Sequence, residues 1–385
     1  VAAAVQLERP FPSPTLRTAL GASYTISGRV DTLPWPGVGQ AALYLSGFGW
    51  LGASADQTSV PIASVAKVMT ALVILRAHPL QMGEAGPAIT VSAADLALYQ
   101  AELGAGDSVV AVQSGETLSE LQLLEGLLLP SGDNLAVVLA DWDASSEPRF
   151  VSVMNQAAAG LKLQQTRFAD SSGLDPASVS SARDLVTLAT AAMSNPVFAS
   201  IVSMPSAVLP VAGMVRNYDY LLGQDGVVGI KTGWTSASLG CLVFAADQQV
   251  GGQAVQLIGA VLGQPGGPTS GLRAAGAVAL GLIASAQNEL RLVDLPKAGE
   301  PVGELVTSWG ARTPIQSVGR IQIVGPGGAR IALRLRLRRL RLPLGRGRPV
   351  GTLAAISPAG VDHSLGVVTQ GALSGPSWWW RLTRF

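Results

Sequence analysis

The segment PIASVAKVMTALVIL constrains this 385-residue chain more than any other. An apolar run at helical spacing begins at Ser64, and Lys67 follows three residues on, so the two side chains share one helix face a turn apart. Ser64 also stands at the start of that predicted helix, where unpaired backbone N–H groups and the helix dipole favour a developing oxyanion. A serine hydroxyl attacks a carbonyl when a base lies beside it. Lysine serves as that base if burial and a second cation lower its pKa. Two further motifs follow in order: Ser131-Gly132-Asp133, 67 residues after Ser64, and Lys231-Thr232-Gly233, 100 residues after that. Lys231 is the candidate second cation.

Histidine usage points the same way. His78 and His363 are the chain's two histidines. His78 lies roughly four helical turns beyond Ser64, and His363 falls in a segment that reads as a separate domain. A Ser-His-Asp triad would have to recruit one of them. With one cysteine, Cys241, a His/Cys metal site is not expected, nor is an internal disulfide. Cys241 sits in the strand-like run LGCLVFAA and is expected to be buried. The expected chemistry uses a lysine base and needs no cofactor or metal.

Composition supports a compact, loop-rich globular protein: 48% hydrophobic residues, 13% charged, 45 Gly and 24 Pro. The net charge of +1 hides an asymmetry. Residues 1–286 carry 12 Lys+Arg against 20 Asp+Glu, whereas residues 287–385 carry 14 against 5. The C-terminal part is therefore expected to face an anionic partner, and no nucleic acid is implied. The chain starts at Val1 rather than Met, which suggests that a segment such as a signal peptide has been removed. The longest uncharged apolar stretch, Ala274 to Ala286, reads as too short to span a bilayer.

The pattern divides the chain into a Pro-rich, irregular lead-in (1–37), a catalytic unit (38–286) and a β-rich basic unit (287–385). AALYLSGFGWLGAS reads as two strands around a Gly turn. Residues 83–113 read as loop and strand. Thr117 and Glu120 form a predicted capping box for the helix that ends at Pro130. The second motif then lies on a turn, and NLAVVLADW restarts a helix. A further helix begins near Pro148, and Ser181 to Asp184 cap the next, which is expected to stop near Pro196. From Gly226 the texture changes to strands (GVVGIKTGW, LGCLVFAAD, AVQLIGAVLG), and RAAGAVALGLIASA closes the unit as a helix. The expected fold is an α/β sheet with an inserted helical lobe, the motifs meeting at the junction. In the basic unit, Leu333, Leu335 and Leu337 alternate with Arg334, Arg336 and Arg338, giving a strand with one apolar and one cationic face. Arg338-Arg339 breaks the phase and predicts a bulge.

Together these residues resemble the serine-type D-Ala-D-Ala carboxypeptidases, the low-molecular-mass penicillin-binding proteins. LLLPSGDN, GVVGIKTGWT, FVSVMNQAAAGLKLQQTRFADSSGLD and the SARDL helix start also look like that family, across roughly residues 38–286. The resemblance implies a β-lactamase/transpeptidase-like α/β fold, with an antiparallel sheet flanked by helices, an all-helical lobe and a C-terminal β-rich domain. It implies Ser64 as nucleophile, Lys67 as proton acceptor and Ser131 as a relay toward the leaving amine. Thr232 would bind the substrate carboxylate, Lys231 would supply positive charge for it and for Lys67, and the backbone amides of Ser64 and Trp234 would form the oxyanion hole. Gly233 would let a peptide lie beside the strand. The implied substrate is the peptidoglycan stem pentapeptide, processed outside the cytoplasm at the cell envelope, with β-lactams as covalent inhibitors.

One departure stands out. The family's second motif is usually S-x-N, and here Asp133 replaces the amide, followed by Asn134. An ionised carboxylate cannot donate to a substrate carbonyl. Asp133 would instead pair with Lys67, or Asn134 would shift into the site. Two rival readings follow: a wall-binding protein that has lost turnover through Asp133, and a class A β-lactamase. The second would need a glutamate some three dozen residues after Ser131, where this chain reads Gln164-Gln165-Thr166-Arg167-Phe168.

Overall fold

The computed structural model describes residues 9–28, 32–296 and 300–383. Its centre is a five-stranded antiparallel sheet in the order Val227–Thr235, Leu239–Val250, Gln253–Gln264, Gln40–Leu45, Gly49–Ala53. Period-two alternation divides each inner strand between two cores. From Leu239–Val250, Cys241, Val243 and Ala245 join the core under the helical lobe, while Leu242, Phe244 and Ala246 join the opposite one. From Gln253–Gln264, Ile258, Ala260 and Leu262 face the lobe, and Leu257 and Val261 the other side.

The helix Pro268–Glu289 covers that other side through Ala275, Ala279, Leu282, Ile283 and Ala286. It is longer than its apolar stretch suggested. By length and composition it qualifies as a membrane span, but it lies against the sheet along a stripe of small and apolar residues. It also runs past residue 286, and the next strand, Leu290–Leu295, begins directly after it.

The lobe comprises the helices Ala93–Ala105, Glu120–Leu128, Asp133–Ala144 and Glu147–Gly160 around the central helix Lys67–Ala77. That central helix is buried at every position from Lys67 to Leu75. The helix Ala93–Ala105 lies in the stretch read as loop and strand. None of its residues is fully buried, and Leu96, Leu98 and Tyr99 are only half-buried, so its apolar stripe is weak. Its signal was the Ser92/Asp95 capping box and Gly106 in the left-handed conformation at its end.

A second correction concerns the Thr117/Glu120 box. The cap is Ser119, paired with Gln122, and Thr117 belongs to the strand Thr117–Ser119. The helix Ala182–Met193 stops just before Pro196, as expected, and Pro196 then opens a further short helix, Pro196–Val202, under an Asn195 cap. The Ser181 cap of Ala182–Met193 is present as expected.

The basic unit is built on a seven-stranded antiparallel sheet. Its order is Thr15–Thr18, Gly303–Val306, Arg312–Ser317, Asp362–Thr369, Pro349–Ile356, Arg330–Leu337, Ser23–Thr25. The lead-in is therefore not irregular throughout: its two short strands form both edges of this sheet. At four and three residues they are too short to show a period. Leu290–Leu295 pairs with Ile321–Pro326, and these strands extend the core that starts beneath Pro268–Glu289. A further contact joins the two units where the Ala359 amide donates to the Phe48 carbonyl at 3.0 Å.

The Leu/Arg alternation is observed: Arg334 and Arg336 are exposed, while Leu333, Leu335 and Leu337 are partly buried. Arg338-Arg339 makes no bulge, because the strand ends at Leu337 and a loop follows. The Trp378 and Trp379 side chains are 66% and 62% exposed on the helix Trp378–Thr383, so they do not fill the β core. Arg384 and Phe385 lie outside the described residues.

Candidate active site

Ser64 occupies a single 3-10 turn, Ala63–Ala66, that leads into the helix beginning at Lys67. Two glycines make room for this turn. A Cβ on Gly173 would lie 1.9 Å from the Ala63 carbonyl oxygen, and one on Gly233 would lie 3.0 Å from the Ser64 amide nitrogen. The bare backbone at Gly233 thus lets the third motif approach the nucleophile turn. The strand Val227–Thr235 that carries this motif is the edge of the central sheet.

Lys67 is fully buried, and its Nζ has three partners. It lies 2.8 Å from Ser64 Oγ, donates to the Ser172 carbonyl at 2.9 Å and forms an ion pair with Asp133. Asp133 is 1% exposed. Its other carboxylate oxygen accepts the Ser108 amide at 3.1 Å, and its own amide donates to the Ser108 carbonyl at 2.7 Å. Of the two options that the missing amide left open, the structure takes the first. Asn134 is turned away, bonding the backbone N–H and C=O of Val110 at 2.9 Å each.

Both oxygens of Asp133 thus have partners that an amide could not serve equally. Asp133→Asn is therefore expected to lower both melting temperature and β-lactam acylation rate, the latter about tenfold or more. Faster acylation in this variant would contradict that view.

Ser131 is held at φ 68°, a strained conformation for a residue with a side chain. It is 4% exposed, and its Oγ has no hydrogen-bond partner among the described residues. It lines a cleft of about 540 Å³ together with Ser64, Asp133, Thr232, Gly233 and Trp234. A buried hydroxyl without a partner, opening on a cleft, is free to bond a bound molecule. Six of the eight expected site residues therefore line one cleft, and a seventh, Lys67, reaches it through Ser64. The eighth, Lys231, lies beneath Thr232, is 2% exposed and donates to the Thr232 carbonyl at 2.9 Å.

Burial, reinforced by the charge on Lys67, pushes the Lys231 ammonium down to about 7, with Asp133 and Asp219 pulling the other way. The unfolded chain keeps this proton up to about 10.5 and the folded chain only to about 7. Between those values the unfolded state binds more protons, so stability is expected to rise with pH. The gain should be roughly 1–4 kcal/mol across the window. Lys231→Met is expected to flatten this slope in denaturant melts at pH 7 to 10, and an unchanged slope would refute the assignment.

Sequence reasoning missed several contributors. Ser172 supplies the carbonyl that seats Lys67, in a loop organised by Asp170, which accepts from the Ser172 hydroxyl at 2.8 Å and the Gly173 amide at 2.9 Å. The string FADSSGLD was the available signal. Asp219 is buried beneath the cleft with one carboxylate oxygen unpaired, and burial lifts it to about 6. Nothing in the sequence marked it. Cys241 is buried, which pushes its thiol up to about 11. His78 bonds Asp143 at 2.9 Å, away from the cleft. Asn155 and Asp175 satisfy nearby backbone groups.

Residues 51–266 match the family model for D-alanyl-D-alanine carboxypeptidase. A D-alanyl-D-alanine carboxypeptidase of Mycobacterium tuberculosis is 38% identical over 218 residues, covering 54% of this chain and 69% of that protein. A D-alanyl-D-alanine carboxypeptidase from a Streptomyces strain is 33% identical over 229 residues, covering 54% and 74%. The crystal structure of a Streptomyces DD-transpeptidase superposes with a TM-score of 0.57 at 28% identity, over 66% of this chain and 98% of that one. Penicillin-binding protein 5 from Haemophilus influenzae shares the fold over 90% of this chain, with a TM-score of 0.63 at 23% identity. The chain belongs to the D-alanyl-D-alanine carboxypeptidase family of serine peptidases.

Proposed function

We propose that this enzyme removes the terminal D-Ala from peptidoglycan stem pentapeptides through an acyl-enzyme on Ser64. The observation that carries this reading is a fully buried lysine amine 2.8 Å from a serine oxygen that opens on the cleft. The Ser64 hydroxyl gives its proton to the Lys67 amine, which passes one of its own to its partner Asp133, as Oγ attacks the penultimate carbonyl. The amides of Ser64 and Trp234 hold the oxyanion. As the C–N bond breaks, the leaving D-Ala amine takes its proton by way of Ser131. Water then attacks the ester, giving one proton to Lys67, and Ser64 Oγ is reprotonated. Thr232 holds the terminal carboxylate, and Lys231, beneath it, supplies positive charge. The substrate backbone lies along the free edge of Val227–Thr235, where main-chain bonds fix its register. A discontinuous assay of D-Ala released from a diacylated Lys-D-Ala-D-Ala peptide tests the reading. No release by protein that still binds penicillin covalently would favour the wall-binding reading instead.

The same reading places the enzyme outside the cytoplasm, against an anionic envelope surface. In its support, eight arginines and no acidic residue fall between Arg330 and Arg348, Arg334 and Arg336 are exposed, and Trp378 and Trp379 face solvent. Basic residues near an anionic surface add roughly 1 kcal/mol each, and tryptophan suits the membrane interface. Co-sedimentation with anionic liposomes or isolated wall is expected at low salt and lost at high salt. Equal recovery in the supernatant with and without either surface would remove the tether.

A further inference from the structure

The cleft carries a carboxylate that the reaction above does not use. Asp107 follows Gly106, the left-handed residue (φ 84°) that ends the helix Ala93–Ala105. Its neighbour Ser108 is clamped to Asp133 by the two backbone-involving bonds described above. The backbone and side chain of Asp133 thus both hold the wall that bears Asp107. Asp107 and Ser108 line the cleft with Ser131, and Thr232, Gly233 and Trp234 line it as well. Asp107 is partly buried, and its carboxylate has no ion pair or hydrogen bond among the described residues. The nearest cation of the site, Lys67, is already matched by Asp133.

A bound peptide would cover this anion and strip its remaining water, which is costly unless the peptide brings a positive charge. Burial and the neighbouring Asp133 already raise the Asp107 carboxyl, as expected for an anion short of a countercharge. A stem peptide offers its terminal carboxylate to Lys231 and Thr232. The other charge it can offer near the scissile bond is the side-chain amine of the diamino acid that precedes D-Ala-D-Ala. We infer that Asp107 is a specificity-determining residue that selects acyl-donor chains whose diamino acid carries a free ammonium group, and so disfavours stems whose amine is acylated by a cross-link. This inference rests on the reading of the cleft as the D-Ala-D-Ala site.

The test compares two peptides, α-acetyl-Lys-D-Ala-D-Ala with a free ε-amine and the same peptide acetylated there. The unmodified enzyme is expected to favour the free amine about tenfold in kcat/KM, mainly through KM, because a charge-assisted hydrogen bond is roughly twice as strong as a neutral one. That preference should shrink in high salt. Asp107→Asn should bring the ratio close to one, and Asp107→Lys should invert it. Acylation rates with ampicillin and benzylpenicillin, which differ by a side-chain amine, give an independent ratio that does not require turnover. A ratio near one in the unmodified enzyme, or one unmoved by Asp107→Asn while D-Ala is released, overturns the inference alone. Neither release nor acylation by unmodified enzyme overturns the catalytic reading and the inference with it.

Discussion

Ser64→Ala is expected to abolish both D-Ala release and covalent β-lactam labelling, with at least a hundredfold loss in each, the scale on which removing a nucleophile acts. The Ser64 side chain has one partner in the site, Lys67 Nζ at 2.8 Å. Removing a hydroxyl from a partly exposed position leaves the fold intact, so the loss should come without a change in melting temperature. No second serine can replace it: Ser131 lines the same cleft, but its Oγ has no hydrogen bond to a base. Gel fluorography with a fluorescent penicillin, read beside a D-Ala assay, checks the prediction. Labelling at the unmodified rate would show that the nucleophile lies elsewhere.

Lys67→Met should have an effect as large on activity and a second one on stability. The amine is the base nearest Ser64, and neither histidine is placed to substitute, since His78 is bonded to Asp143 and His363 lies in the C-terminal sheet. A hundredfold or greater fall in acylation follows. Lys67 is also the cation that offsets buried Asp133. Removing one member of a buried pair typically costs about 3–5 kcal/mol, because the other charge is left uncompensated. The double variant Lys67→Met/Asp133→Leu should recover much of the stability and none of the activity. Urea melts of the three proteins decide it. A single variant as stable as the unmodified protein would show that the pair contributes little.

Where the sequence was legible, the reason is physical. The three motifs are short, rigidly placed and chemically costly, so Ser64, Lys67, Ser131 and Lys231 stand out by residue type and order alone. The alternating strands of the central sheet were legible because each is buried on both faces, with Val243 and Phe244 serving different cores. The helix Ala93–Ala105 was not, because it buries no residue fully and packs only side chains such as Tyr99 partly against the core. That omission hid Asp107 and Ser108, which owe their position to the end of that helix. The edge strands Thr15–Thr18 and Ser23–Thr25 were missed for a related reason: their partners lie near Gly303–Val306 and Arg330–Leu337, almost a whole chain away. The Lys67–Asp133 pair was visible as an option, and the choice between Asp133 and Asn134 needed the backbone of Val110 and Ser108.

The central claim is that Ser64, activated by Lys67, forms the acyl-enzyme. Its most direct test is to trap that species with a penicillin, digest the protein and locate the added mass by fragmentation. The account predicts one adduct per chain, on the Ser64 hydroxyl. An adduct on Ser131, on Cys241 or on any other residue, with Ser64 unmodified, would contradict it.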